Sequence, residues 1–136
     1  YYSVNYNNFM DNYISRNHSK HYLKVHLIFV CKDRKKLLIN NFDNIVKNVI
    51  LEISYRSNFN IDILETDEDH IHMLISYPPK LSVTSIVRKL KQESTIYLWK
   101  NYSKFLSKHF WNDGYFACFI GETNPETIKR YIENQG

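Results

Sequence analysis

The sequence Asp69-His70-Ile71-His72-Met73-Leu74-Ile75 decides the fold, because its apolar residues predict a buried strand and that strand carries two histidines. Residues two apart share one face of a strand and lie roughly 6.6 Å apart along the backbone. His70 and His72 therefore point the same way and can bind one metal ion together. Zinc competes for such a pair, and two core or surface histidines give the same pattern.

The residues around this strand predict an α+β domain. By periodicity and turn residues we expect strands at 21–31, 59–65 and 115–120, helices at 41–57 and 82–99, and a last helix opening at Pro125 with Asn124 as its cap. The polar turn Thr66–Asp69 predicts that the histidine strand forms an antiparallel hairpin with the strand before it. The order β-α-β-β-α-β is that of the ferredoxin-like (RRM-like) fold, with both helices on one face of the sheet.

Length and composition predict one intracellular domain. The 136 residues suffice for a single domain, which we place at 20–136 after a flexible leader at 1–19 that is rich in Asn and Tyr. No apolar run approaches the roughly 18 residues that span a bilayer, and the start does not resemble a signal peptide, so we expect a soluble, cytoplasmic protein. Cys31 and Cys118 are far apart and in apolar contexts, which favours buried, reduced thiols.

The net charge of +4 favours a polyanionic partner only if the charge is clustered. The basic residues form two clusters, of which the first is Lys32, Arg34, Lys35 and Lys36 and the second is Arg88, Lys89 and Lys91. The alternative to binding a polyanion is that each cluster is simply solvated surface.

The last helix carries a candidate nucleophile. Tyr131 and Gln135 are four residues apart, so they lie on one helix face about 5–6 Å from each other. A tyrosine hydroxyl can attack phosphorus, and a glutamine carbonyl oxygen can bind a hard metal ion. Because attack on a phosphodiester conserves the bond energy as a phosphotyrosine, the step is reversible and suits strand transfer. Helix packing of Tyr131 and solvation of Gln135 are the alternatives.

Taken together, these residues resemble the single-tyrosine HUH transposases of bacterial and archaeal insertion sequences (the TnpA type). The resemblance covers about residues 20–135, and Tyr131-Ile132-Glu133-Asn134-Gln135 is its most specific part. The other matching segments are 22–30, 32–36, 69–74, 88–91 and 110–116.

The resemblance implies a function and a site. It implies cutting and rejoining of single-stranded DNA at element ends, recognition of subterminal hairpins, and a homodimer whose active sites are completed in trans. His70, His72 and Gln135 would bind Mg²⁺ or Mn²⁺, and Tyr131 would form a 5′-phosphotyrosine. Asp33 stands in the basic turn where many relatives carry an aromatic or another residue, which we expect to weaken a local DNA contact. The sequence ends one residue after Gln135, so we also expect a loosely held last turn.

The DNA surface is predicted from charge. The expected phosphate contacts are Lys35, Lys36, Arg88, Lys89 and Lys91. Trp111 is expected in the core, whereas Tyr97 and Trp99 are equally compatible with packing and with stacking on bases. Two other classes remain open. One is a non-catalytic RRM-like module, although this sequence lacks the Lys/Arg-Gly-Phe type of signature that such modules carry. The other is a replication or transfer nickase, although such proteins are usually longer than this chain.

Overall fold

The computed structural model describes residues 23–102, 109–120 and 130–135. Its elements are β1 (Leu23–Val30), a 3-10 turn (Lys32–Arg34), α1 (Phe42–Tyr55), β2 (Asn60–Thr66), β3 (His70–Tyr77), α2 (Val83–Tyr102) and β4 (Phe116–Phe119). Residues 130–133 are also helical. The leader at 1–19 and the predicted cap at Asn124 and Pro125 lie outside the described residues.

The four strands form one antiparallel sheet in the order β2-β3-β1-β4. β2 and β3 are the predicted hairpin, with a register irregularity between Ile61 and Ile63. β1 is central and pairs with β3 over its whole length, from Leu23 opposite Tyr77 to Val30 opposite His70. The predicted ferredoxin-like order is therefore confirmed.

Both helices pack on one face of the sheet and form the main core with it. The alternating residues Val25, Leu27 and Phe29 of β1 contribute from the sheet, and each is fully buried. The helices contribute apolar residues at the spacing that the sequence predicts; these are Val46, Ile50 and Ile53 from α1 and Ile86, Val87, Leu90 and Leu98 from α2. Burying each such side chain contributes about 1.5–3 kcal/mol, so this face holds the sheet rigid.

The opposite face of the sheet carries the second, smaller apolar cluster. Ile28 and Val30 of β1 are fully buried there, and Phe116, Tyr131 and Ile132 pack against them. The last strand is one residue shorter at each end than the predicted 115–120, and Tyr115 packs against the main core. The terminal helical residues thus lie on the face that the two long helices leave open.

The turn after β1 is unusually tight. Asp33 and Arg34 both have left-handed backbone angles, with φ of 57° and 53°. Aspartate tolerates this region better than a bulky residue does, so the departure at Asp33 has a local backbone reason. Within the described ranges, no helix is long and apolar enough to cross a bilayer.

Candidate active site

The two predicted histidines lie side by side on β3. The ring centroids of His70 and His72 are 4.7 Å apart, and both side chains are buried. They lie on the face of the sheet opposite α1 and α2, since Ile71 and Met73 occupy the main core between and after them. The strand therefore presents two imidazoles together, as its alternation predicts.

A carboxylate holds the first histidine. His70 Nδ1 lies 2.7 Å from Asp69 Oδ1, while Asp69 Oδ2 accepts a hydrogen bond of 3.2 Å from Arg34 Nε. Although burial alone would raise the pKa of Asp69, hydrogen bonds from His70 and Arg34 lower it. The carboxylate is thus ionised at neutral pH. With Nδ1 of His70 directed at this carboxylate, Nε2 is the candidate ligand atom.

The second histidine lies in a dry environment. Burial, followed by the nearby His70 and His26, lowers the pKa of His72 to about 3. The ring of His26, from β1, stacks on His72 with a centroid distance of 5.7 Å. Burial likewise lowers the pKa of His26 to about 4. Both imidazoles are neutral at pH 7, which for His72 is the form that binds metals.

Tyr131 lies on the same face of the sheet. Its ring is 5.6 Å from that of Phe116, and it packs against Ile28 and Val30. In the antiparallel pairing, Ile28 is opposite His72 and Val30 is opposite His70. The phenol therefore packs on the strand next to the one that carries the imidazoles, at the same end of the sheet. Within one chain, the terminal segment and the histidines belong to the same surface.

The hydroxyl of Tyr131 is buried and has no hydrogen-bond partner among the residues that the structure describes. It lies beside Gly114, where an added Cβ would be 3.7 Å from the oxygen. Burial raises the pKa of Tyr131 to about 12. A buried unsatisfied hydroxyl costs about 1–3 kcal/mol, and such groups need an explanation that function often supplies.

Gln135 is held by the loop before β4. Its Oε1 accepts a hydrogen bond of 3.1 Å from Asn112 Nδ2, and Asn112 Oδ1 accepts one of 3.0 Å from the backbone N–H of Asp33. The backbone N–H of Asn112 donates to Val30 at the end of β1. Asn112 therefore links the terminal segment, the tight turn and the central strand, and it gives Gln135 a defined position.

Lys91 has a structural role that the charge pattern does not reveal. Its ammonium donates to the carbonyl oxygens of Asn112 (2.6 Å), Asp113 (3.1 Å) and Gly114 (2.7 Å). Burial lowers the pKa of Lys91 to about 8, with Asp113 opposing the shift, so the group remains mostly protonated at pH 7. A phosphate contact by Lys91 would have to compete with these three hydrogen bonds, and that contact stays a prediction.

The other predicted phosphate contacts do not form one cluster. Lys35 and Lys36 are exposed in the turn after β1, at the end of the sheet where His70 lies, and Lys36 is 3.9 Å from Glu68. Lys89 is two helical residues from Lys91, hence about 200° away around α2, and it lies 3.7 Å from Glu93. Arg88 is exposed. Of this set, Lys35 and Lys36 lie at the end of the sheet that carries His70, and their contacts with phosphate stay predictions.

Aromatic and cysteine predictions have clear outcomes. Trp111 is buried as expected and donates a 3.0 Å hydrogen bond from Nε1 to Ser94. Tyr97 and Trp99 are exposed by 48% and 39%, so stacking on bases remains open to both. Cys31 and Cys118 are buried thiols, as predicted.

The donor set fits a divalent cation. In the part of the chain that the structure describes, no three His, Cys, Asp or Glu side chains are grouped to hold a metal ion. A metal ion held by the two imidazoles would therefore need a third ligand of another type. The amide oxygen of Gln135 keeps a second lone pair beyond its bond to Asn112, so Gln135 stays the candidate for that ligand.

Sequence reasoning missed the residues that support the site. The sequence pattern indicates Asp69 only as part of the strand segment, although a carboxylate adjacent to a candidate metal-binding histidine is a known supporting arrangement. The alternation along β1 could have placed His26 on the same face as the two histidines, because it lies on the face opposite to Val25 and Leu27. Nothing local in the sequence indicates that Arg34 or Asn112 contacts the terminal segment.

Comparison with known sequences gives consistent matches. The family model described as "Transposase IS200 like" matches residues 19–135. The transposase for insertion sequence element IS200 of Salmonella typhimurium is 30% identical over 122 residues, which cover 87% of this chain and 80% of the relative. The ISDra2 transposase TnpA of Deinococcus radiodurans is 26% identical over 117 residues, covering 83% of this chain and 84% of the relative.

Two solved structures share the fold. One, described as a transposase of Deinococcus radiodurans, superposes with a TM-score of 0.77 at 24% identity, covering 85% of this chain and 92% of its own. The other is a REP-associated tyrosine transposase bound to a REP hairpin, with a TM-score of 0.57 at 14% identity, covering 85% and 67%. At these identities the likeness shows the fold alone.

Proposed function

The chain belongs to the IS200-like transposase family, and from this premise we propose that it cuts and rejoins single-stranded DNA at the ends of an insertion sequence. Tyr131 is the proposed nucleophile, and His70, His72 and Gln135 are the proposed metal ligands. One observation carries this assignment. Tyr131 packs on Ile28 and Val30, the cross-strand neighbours of His72 and His70, so the phenol and the imidazoles share one end of one sheet face.

The proposed step exchanges one phosphodiester for another. The oxygen of Tyr131 attacks the scissile phosphorus and forms an O–P bond, while the bond from phosphorus to the 3′ oxygen breaks. The phenol loses its proton and the departing 3′ oxygen gains one. Because the phosphate remains esterified, a 3′ hydroxyl can attack the phosphotyrosine and reseal the strand without ATP.

The phenol requires activation in this environment. With the pKa of Tyr131 raised to about 12, about one phenol in 10⁵ is ionised at pH 7, an ionisation cost of about 7 kcal/mol. Burial of the hydroxyl keeps water away from it and protects the covalent intermediate from hydrolysis. A group that accepts the proton, or a more electrophilic phosphate, must therefore accompany DNA binding.

The ligand residues suit Mg²⁺ or Mn²⁺ when one is bound. His70 Nε2, His72 and the amide oxygen of Gln135 would hold the ion, which would polarise the scissile phosphate and stabilise the charge that develops on it. Asp69 orients His70, and Asn112 positions Gln135. These two contacts preorganise the ligands within the chain's own framework.

The proposed substrate is DNA that carries hairpins near the element ends. A relative with the same fold is bound to a REP hairpin, and the exposed Lys35 and Lys36 extend the site along a path that a phosphate backbone can follow. Phosphate contacts of this kind give affinity without sequence specificity. Recognition of the hairpin would then depend on other surfaces of the protein.

The direct experiment is covalent trapping on single-stranded DNA. The protein is incubated with Mn²⁺ and oligonucleotides spanning the element ends, labelled at either terminus, and the products are separated on a denaturing gel. A 5′-phosphotyrosine predicts that the 3′-labelled fragment migrates with the protein, whereas the 5′-labelled fragment is released. We expect EDTA and Tyr131→Phe to abolish the adduct.

Matched controls keep this result interpretable. Tyr55 is 72% exposed on α1, so Tyr55→Phe should leave the adduct intact. His109 is exposed and lies outside the histidine pair, so His109→Gln should behave in the same way, in contrast to His72→Ala. An adduct that persists in Tyr131→Phe would reject Tyr131 as the nucleophile. Binding of DNA without any adduct would favour a non-catalytic module.

The resemblance implies a homodimer with sites completed in trans, whereas the packing of Tyr131 within one chain supports completion in cis, and a mixing experiment decides between them. Tyr131→Phe retains the histidines, and His72→Ala retains the tyrosine. If the tyrosine acts in trans, mixed dimers of these two variants contain one complete site and regain about a quarter to a half of the wild-type adduct. If it acts in cis, no combination restores activity.

A further inference from the structure

We infer that Arg34 is a positioning residue that connects the terminal helical turn to the first metal-binding histidine through Asp69. This inference rests on the proposed function, because it concerns the same site. Arg34 contacts two segments that lie 35 and 99 residues away in the sequence. One segment carries His70 and the other carries Tyr131 and Gln135.

The contact with Asp69 sets the orientation of His70. Asp69 divides its two oxygens, with Oδ1 placed 2.7 Å from His70 Nδ1 and Oδ2 placed 3.2 Å from Arg34 Nε. The carboxylate is only 13% exposed, so removing the guanidinium would leave one oxygen poorly solvated. It could then rotate away from His70 to find water. Arg34 therefore keeps the carboxylate in the orientation that fixes the imidazole.

The contact with the terminal turn is at its last carbonyls. Arg34 Nη1 donates to the carbonyl oxygen of Glu133 at 3.3 Å. Carbonyls in the last turn of a helix have no partner within the helix, and a cation there also complements the helix dipole. Glu133 lies between Tyr131 and Gln135, so this hydrogen bond restrains both residues relative to His70.

The chemistry of the side chain explains why arginine suits this position. The planar guanidinium offers donors in fixed, diverging directions, and Nε and Nη1 serve the two acceptors at once. Its left-handed backbone, with φ of 53°, belongs to the tight turn that aims the side chain at both segments. A lysine has one flexible ammonium and cannot reproduce this geometry as a rigid link.

The test compares Arg34→Gln with wild type and with Arg56→Gln. Arg56 makes a similar 3.2 Å contact with Glu93 between the two helices, which is the matched control for removal of an arginine–carboxylate pair. Binding of Mn²⁺ alone is measured by electron paramagnetic resonance or calorimetry. We expect Arg34→Gln to raise the Mn²⁺ dissociation constant about tenfold or more, as the removal of residues that support metal ligands does, and Arg56→Gln to leave it unchanged.

A second measurement reads the orientation of His70 without metal. Long-range ¹H–¹⁵N spectra report which nitrogen of His70 carries the proton, and we expect the Nδ1-protonated tautomer in wild type and a mixture in Arg34→Gln. In the background of Asp69→Asn, Arg34→Gln should weaken Mn²⁺ binding little further, because both residues act through one interaction. At saturating Mn²⁺, the double variant should still form less adduct than Asp69→Asn alone, because the double variant also lacks the hydrogen bond from Arg34 to Glu133.

The outcomes separate this inference from the proposed function. Unchanged Mn²⁺ affinity or an unchanged His70 tautomer in Arg34→Gln would overturn the role of Arg34, as would fully additive effects with Asp69→Asn. A wild-type chain that binds no Mn²⁺ would refute the metal centre itself. The tautomer measurement would in that case alone decide whether Arg34 orients His70.

Discussion

Replacing Lys91 with methionine tests whether this residue organises the loop at 112–114, which precedes β4. Methionine keeps the length and apolar stem of lysine but removes the ammonium. Three carbonyl oxygens, those of Asn112, Asp113 and Gly114, are then left without their common donor. The ammonium also lies 5.3 Å from the ring centroid of Phe29 and 5.9 Å from that of Tyr115, and these cation–π interactions would disappear as well.

The expected decrease in stability follows from these interactions. A hydrogen bond from a charged donor contributes about 1.5–3 kcal/mol when it is protected from solvent. The bond to Asn112 is partly buried, whereas those to Asp113 and Gly114 are exposed, and water can replace the donor there. We therefore expect a net destabilisation of about 2–3 kcal/mol, which for a domain of this size lowers the Tm by about 6–10 °C.

Thermal unfolding followed by circular dichroism measures this effect, with Lys89→Met as the control. Lys89 has a side chain that is 40% exposed and lies 3.7 Å from Glu93, so its replacement should change stability by less than about 0.5 kcal/mol. If Lys91→Met unfolds at the same temperature as Lys89→Met and only binds DNA less tightly, Lys91 is a phosphate contact and the structural argument is wrong.

Three further predictions concern other parts of the chain. Lys35→Gln combined with Lys36→Gln should weaken single-stranded DNA binding and reduce the slope of log K against log salt by about 0.7 for each phosphate that is no longer neutralised. Fluorescence anisotropy at several salt concentrations measures this slope, and an unchanged slope would exclude Lys35 and Lys36 as phosphate contacts. Lys24 forms a 2.8 Å ion pair with Asp62 and its side chain is 3% exposed, so Lys24→Met should destabilise the fold by about 3–5 kcal/mol in urea unfolding, and a decrease below about 1 kcal/mol would contradict the burial of the pair. Burial, followed by Asp69, raises the pKa of Cys31 to about 12, so iodoacetamide at pH 8 should label Cys31 in denaturant but not in the native protein, as peptide mass spectrometry would reveal.

The elements of the fold could be predicted because local hydrophobic periodicity determines them. The spacing of Val46, Ile50 and Ile53 predicts α1, and the structure places all three in the core. The errors are at the ends. The structure has α1 at Phe42–Tyr55 and α2 at Val83–Tyr102, against predictions of 41–57 and 82–99. Helix ends depend on capping and tertiary contacts, which periodicity does not encode.

The histidine pair was predictable for a similar reason. Alternation along a strand is a local property, so His70 and His72 had to share a face once the strand formed. The charge pattern was less informative, because it does not distinguish a solvated lysine from one with internal partners. Lys91 and Lys89 look equivalent in the sequence, yet one binds three carbonyl oxygens and the other lies beside Glu93.

The sequence by itself determined the order of strands and helices, the shared face of the two imidazoles and, through its resemblance, the family. Only the tertiary structure decided which loops meet at the end of the sheet. Arg34 contacts Glu133 across 99 residues, and Asn112 contacts Gln135 across 23. Such contacts arise from the sheet order and the packing of the terminal segment on Ile28 and Val30, and no pattern within one segment specifies its distant partner.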